Sequence, residues 1–245
     1  MSDEIEIHSL SAIKHLLEHR PDRVRMLFLP PGDRTGRLGE IEALARRAGV
    51  RVDRSPAARG AEPVRALLPA FRYTEFSDLR EKLAGRADAC ILALDHLQDP
   101  QNFGALCRTA DGLGAAGILV PRDRGVRVGP GVYHASVGAV ETLAIAVVGN
   151  LAEALRKLKD DGFWILGASL EAGAVPPWEC TGFAKSAVVL GAEGEGLAPG
   201  LAKACDVLVR LPIRGKVESY NVSVAGGMIL YELLGRPRPT PQRSS

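Results

Sequence analysis

No stretch of this chain is apolar for the roughly 18 residues that a membrane-spanning helix requires. Its start, Met-Ser-Asp-Glu-Ile-Glu, has neither the basic residues nor the apolar core of a secretory signal. Together these absences lead us to expect a cytoplasmic protein with no membrane partner. Cysteine is scarce as well: Cys90, Cys107, Cys180 and Cys205 lie far apart, and they form no Cys-x-x-Cys pair and no metal-ligand cluster with the five histidines. Reduced, buried thiols and no metal are therefore expected. An excess of one charge is also missing, since 31 Lys and Arg against 29 Asp and Glu leave a net charge of +2. Composition alone does not announce a nucleic-acid binder.

What is present is a chain of 245 residues, 46% hydrophobic and 24% charged, enough for one large globular domain or two of ordinary size. Its arginines are unevenly placed. Between Arg46 and Arg72 there are seven (46, 47, 51, 54, 59, 65, 72) against two acids, Asp53 and Glu62. Such a stretch could meet phosphate. A solvated linker is the alternative, and the residues do not choose between them.

Apolar periodicity divides the chain. Residues 1–54 read as a small α/β unit with helices at 11–19 and 38–48 and strands at 24–29 and 50–52. Pro56, Gly60, Pro63 and Pro69 interrupt the next stretch, which reads as a linker over 55–87 ending in a short helix at 76–83. From Asp88 onward, wholly apolar strands alternate with helices, which predicts a parallel sheet covered on both faces over residues 88–236. Ligands then gather at the carboxyl ends of its strands. The tail, 237–245, is expected to be disordered.

Three blocks in the second part carry chemistry. The first, Asp-Pro-Gln-Asn-Phe-Gly-Ala-Leu-Cys-Arg-Thr-Ala at 99–110, opens a helix that Asn102 is suited to cap, with Gly104, Arg108 and Gly112 on one face. Either a backbone or ligand approaches that face and meets the Arg108 guanidinium, or Arg108 is a surface arginine beside incidental glycines. A residue that keeps its proton serves best to hold a phosphate or stabilise developing negative charge. The second block, Gly-Ala-Glu-Gly-Glu-Gly at 191–196, follows an apolar strand. Glu193 and Glu195 disfavour polyphosphate there and suit a ligand carrying positive charge. The third, Leu-Pro-Ile-Arg-Gly-Lys-Val-Glu-Ser-Tyr-Asn-Val-Ser-Val-Ala at 211–225, places Ser219 and Asn221 where they can cap a helix or orient a substrate. That helix is apolar around most of its circumference, as in a deep core or a subunit interface. Gly-Leu-Gly-Ala-Ala-Gly at 112–117 matches the dinucleotide pattern in letters, but it ends a helix and precedes a strand, the reverse of the required context. A nicotinamide-dependent dehydrogenase thereby loses its support.

Together with Ala-Ser-Val-Gly-Ala-Val-Glu at 135–141, these blocks resemble the motifs of the SpoU/TrmH family of RNA ribose 2′-O-methyltransferases, over residues from about 89 to 235. The resemblance implies a methyltransferase using S-adenosyl-L-methionine, with a C-terminal trefoil knot in its parallel sheet, the SPOUT fold, and a homodimeric assembly. It implies Asn102, Arg108, Glu193, Ser219 and Asn221 as catalytic residues, and a cofactor pocket made by Leu190, Gly191, Gly194, Leu211, Ile213, Tyr220 and Val222. Arg108 would hold the phosphate next to the target nucleotide while Asn102, Ser219 and Asn221 orient the 2′-hydroxyl. Ribosomal RNA is the expected partner, with transfer RNA second. In another class, a non-catalytic RNA-binding or ribosome-assembly protein could keep the same fold. Tyr220 stands where the family usually has leucine. The N-terminal unit is similar to the small RNA-binding domain of many members but lacks a glycine near its first helix, reading Ile-His-Ser-Leu-Ser-Ala at 7–12.

Overall fold

The computed structural model describes residues 4–32, 35–56, 62–180, 182–192 and 196–235. Its first sheet has four strands in the order β1-β4-β2-β3, made by β1 (Glu4–Ile7), β2 (Met26–Phe28), β3 (Arg51–Asp53) and β4 (Arg65–Pro69). β4 runs antiparallel to β1 and β2, and β2 runs parallel to β3. Helix α1 (Leu10–His19) buries Ala12, Ile13, Leu16 and Leu17, and the Ser9 side chain caps it by accepting from the Ala12 N–H. Helix α2 (Gly36–Arg47) buries Ile41 and Ala45.

This sheet corrects the predicted linker over 55–87. Residues 65–69 lie between β1 and β2, with Ala66 and Leu68 buried, so the first unit extends beyond residue 54 to Pro69. The prolines that suggested a linker flank the strand or end it, where the ladder loses nothing by their missing N–H. Helix α3 (Phe76–Ala84) packs Leu79 and Leu83 into the core of the second sheet and belongs with it. The predicted tail, 237–245, lies outside the described residues.

The second sheet is wholly parallel, in the order β10-β8-β9-β5-β6-β7. Its strands are β5 (Ala89–Leu94), β6 (Gly117–Pro121), β7 (Ile145–Val148), β8 (Trp164–Ala168), β9 (Lys185–Leu190) and β10 (Val207–Val209). Every residue of β5 and β6 is buried, as strands covered on both faces must be. On one face α4 (Pro100–Gly112), α5 (Pro130–Ser136) and α8 (Val222–Leu230) pack over Leu92, Leu94, Ile118 and Val188. On the other, α3, α6 (Leu151–Asp160) and α7 (Pro199–Ala204) pack over Ile91, Ala93, Leu119 and Val189. Leu155 and Leu158 of α6 are fully buried, each contributing about 1.5–3 kcal/mol relative to exposure.

Two local expectations are settled here. Asp99, not Asn102, caps α4: its Oδ1 accepts from the Gln101 N–H at 3.0 Å, while Pro100 occupies the first helical position and Asn102 is buried inside the first turn. α4 ends at Gly112, Gly114 has φ of +73°, and β6 begins at Gly117, so the 112–117 glycines form a helix stop and turn. Among the described residues no helix is long and apolar enough to cross a membrane.

Candidate active site

β5 and β9 pair in register from Ala89 and Lys185 to Leu94 and Leu190, which sets their carboxyl ends level. Beside them, at the carboxyl ends of β8, β9 and β10, opens a pocket of about 330 Å³. Its walls are apolar: Leu190, Val209, Leu211, Ile213, Val222 and Ile229, with Tyr220 at the side and Ser219 and Asn221 at the helix start. No charged side chain is among its described lining residues.

Each loop of the pocket has a local cause. At Gly191 an added Cβ would stand 2.1 Å from the carbonyl carbon and oxygen of Gly196, so only glycine allows the two backbone segments to cross. The Gly196 N–H donates to the Ala192 carbonyl at 3.0 Å. The Tyr220 hydroxyl donates to the Pro212 carbonyl at 3.1 Å, tying the 211–213 loop to the 219–222 loop. Tyr220 is therefore a brace between two walls. Asn221 caps α8, its Oδ1 accepting from the Ser223 N–H at 2.9 Å, the Ser223 hydroxyl at 2.6 Å and the Val224 N–H at 3.4 Å. The oxygen serves the helix, so the NH2 end of the carboxamide is the part suited to a substrate. α8 lies close behind: a Cβ at Gly226 would meet Leu106 and Leu190 side chains at 2.6 Å.

The structure thus brings together Leu190, Gly191, Leu211, Ile213, Ser219, Tyr220, Asn221 and Val222. Glu193 and Gly194 lie outside the described residues. Asn102 and Arg108 are not among the residues lining the pocket. Arg108 is exposed on α4, and Asn102 is buried at its start. The near-contact expected at Gly104 proves to be with α5: a Cβ there would stand 2.4 Å from the Ala135 Cβ. Residues 168–170, at the end of β8, line the pocket and were not anticipated from sequence. They carry no motif, and only their strand-end position could have flagged them.

Elsewhere, the thiols are mostly buried, and several of the clustered arginines have structural partners. Burial pushes the Cys90 and Cys205 thiols up to about 11 and raises those of Cys107 and Cys180, which keeps them protonated. Among the described residues no three His, Cys, Asp or Glu side chains are grouped to hold a metal. Of the seven arginines between 46 and 72, Arg46 and Arg54 bond Glu42 at 2.8 and 2.5 Å, and Arg65 lies 3.9 Å over the Phe28 ring and pairs with Glu6. Arg59 lies outside the described residues.

Comparison with known proteins gives a consistent set of relatives. The family model described as SpoU rRNA Methylase family matches residues 89–231. The chain is similar to the 23S rRNA (guanosine-2′-O-)-methyltransferase RlmB of Pseudomonas aeruginosa, 34% identical over 98% of this chain and 99% of that protein. It is also similar to the RlmB of Xylella fastidiosa, 36% identical over 92% of this chain and 94% of that one. Among solved structures, the SpoU methyltransferase AviRb from Streptomyces viridochromogenes, in complex with AdoMet, has the same fold, with a TM-score of 0.77 at 22% identity over 95% of this chain and 90% of its own.

Proposed function

The chain belongs to the SpoU rRNA methylase family, and from that membership we propose that it is an S-adenosyl-L-methionine-dependent methyltransferase acting on ribose 2′-hydroxyls of ribosomal RNA in the cytoplasm. One observation carries this: residues of the 191–196 and 211–225 blocks, separated along the chain by α7 and β10, meet in one pocket at the sheet's carboxyl edge whose described lining is uncharged. The lining fits the cofactor. Leu190, Leu211, Ile213, Tyr220 and Val222 offer apolar walls for a nucleoside, and Gly191 lets main chain approach it. Gly194 and Glu193 are assigned by the motif alone. When bound, the cofactor supplies an electrophilic sulfonium methyl.

The chain's own residues supply position and field. Ser219 and the Asn221 amide, both at the pocket's edge, orient the ribose hydroxyl. The Arg108 guanidinium stabilises the oxygen as its charge develops and holds the neighbouring phosphate, and Asn102, buried in the first turn of the same helix, helps orient the hydroxyl. α8 exposes Val224 and Met228, and Tyr231, exposed just past its end, follows at the next helical spacing of three. A homodimer that covers this stripe draws Arg108, exposed on the adjacent α4, into the same interface as the pocket. The family resemblance assigns a trefoil knot to the segment running from β10 back to α8, which packs on α4 and Leu190. Residues 4–69 would then bind RNA beside the catalytic unit.

The 23S rRNA activity for which the relatives are named favours ribosomal over transfer RNA as substrate, and the presence of Arg108, Asn102, Ser219 and Asn221 favours catalysis over a purely architectural role. Incubation with labelled S-adenosyl-L-methionine and separate unmodified ribosomal and transfer RNA pools tests this. The label should enter ribosomal RNA and survive as alkali-resistant linkages. Label on bases, or none in any RNA, would overturn the assignment.

A further inference from the structure

A second cavity, about 670 Å³, opens at the carboxyl end of β5 and shares Ala192 and Gly196 with the first. Its character is the opposite of its neighbour's: Asp95, His96, Gln98, Asp99 and Arg124 present carboxylates, an imidazole, a carboxamide and a guanidinium to one space. Resting on the reading of the first pocket as the methyl donor's, we infer that this polar cavity receives the base of the target nucleotide, and that Asp99 and Arg124 select guanine.

A ribose presented to the shared wall must send its base to one side, and the cavity lined by donors and acceptors is the one next to the donor pocket. The Asp95 carboxylate is nearly buried, and its Oδ1 lies 2.5 Å from His96 Nδ1, which holds the imidazole in place. Asp99 caps α4 through Oδ1, and among the described residues Oδ2 remains to accept. Guanine's Watson–Crick edge offers two adjacent donors, N1–H and the 2-amino group, which a carboxylate accepts, while its O6 and N7 take donors such as a guanidinium. Adenine places an acceptor, N1, where the carboxylate would repel it. The backbone agrees: among the described residues only three non-glycine positions have positive φ, and His96 at +52° and Arg124 at +56° both line this cavity. Strain of that kind persists where the fold must aim particular side chains.

The same geometry supplies variants that do not threaten folding. Arg124→Gly places glycine at a left-handed position, and Asp99→Asn keeps an efficient helix cap while removing the carboxylate charge. Both should melt no lower than wild type and bind S-adenosyl-L-methionine unchanged by calorimetry. On unmodified ribosomal RNA transcripts each should lose roughly 10- to 100-fold in kcat/KM, mainly through KM. Inosine at the mapped target, lacking the 2-amino group, should slow wild type and leave Asp99→Asn indifferent. Wild-type protein that methylates no RNA overturns the functional reading and this inference together. Active wild type with variants that match it on RNA, or that lose cofactor binding in parallel, overturns this inference alone.

Discussion

At the scale of single residues, Gly191 shows how little space separates a pocket from none. With a Cβ 2.1 Å from Gly196 main-chain atoms, Gly191→Ala must push the two segments apart at the pocket floor. S-adenosyl-L-methionine affinity should fall roughly 5- to 140-fold by calorimetry, since overpacking costs about 1–3 kcal/mol; unaltered affinity would mean the crossing does not shape the site. Tyr220→Phe tests the brace. Loss of one hydrogen bond to the Pro212 carbonyl, worth about 0.5–1.5 kcal/mol, should weaken cofactor binding about two- to tenfold while saturating cofactor restores kcat. Arg108 behaves otherwise because it lies outside the pocket lining. Arg108→Ala should leave cofactor affinity intact and lower kcat by about 10²–10³, the loss expected for one group that stabilises developing charge.

Elements in this molecule are stabilised by partners that their own sequence only half reveals. Glu42 on α2 accepts from Arg54 and Arg46, which hold its carboxyl down to about 2. A depressed folded value means stability present above the unfolded value near 4.5 and lost as pH falls from there toward 2. With Arg46 largely exposed, we expect a loss on the order of 2 kcal/mol over that interval, absent in Glu42→Gln, from urea titrations at each pH. A variant with the same acid sensitivity as wild type would remove Glu42 from the account. Nothing at Glu42 in the one-dimensional pattern announced this, since Arg54 comes from beyond β3. Legibility followed the same rule. The second sheet could be read because strands covered on both faces must be continuously apolar, as β5 and β6 are. β1 could not, since Glu-Ile-Glu-Ile is short and half charged, and β4 could not, because the surrounding prolines and arginines argue for a linker. The pocket loops at 191 and 219–222 stood out through glycine, serine and asparagine. Residues 168–170 are ordinary amino acids made functional by strand order, which sequence alone does not state.

At the scale of the whole molecule, the two sheets share one apolar core, and a buried ionic knot fastens them. Ile13 and Leu16 of α1 belong to the same cluster as Tyr133 and Val140, and Gly138, at φ +87°, lets α1 approach to where a Cβ would meet the Ala12 carbonyl at 3.0 Å. Arg23 donates from Nε to Glu141 at 2.9 Å and from Nη2 to the Ala70 carbonyl at 2.8 Å, and the Arg20 guanidinium reaches the Glu141 carbonyl at 2.6 Å. The Tyr133 hydroxyl donates to the other Glu141 oxygen; burial and that carboxylate push its pKa up, so it stays a donor. Both charged side chains of the Arg23–Glu141 pair are about 5% exposed or less. Removing one partner strands the other without water, so Glu141→Gln should cost about 3 kcal/mol or more, a large part of the 5–15 kcal/mol typical of a folded domain. Wild type should unfold in urea as one transition reported equally by both units, because their cores are contiguous. In Glu141→Gln the midpoint should fall and the 4–69 unit should separate first, whereas the paired replacement Arg23→Met with Glu141→Leu, which leaves no charge behind, should recover most of the loss. If the single variant keeps its midpoint, or the double variant is worse than the single, the ionic knot is not what holds the 4–69 unit against the second sheet.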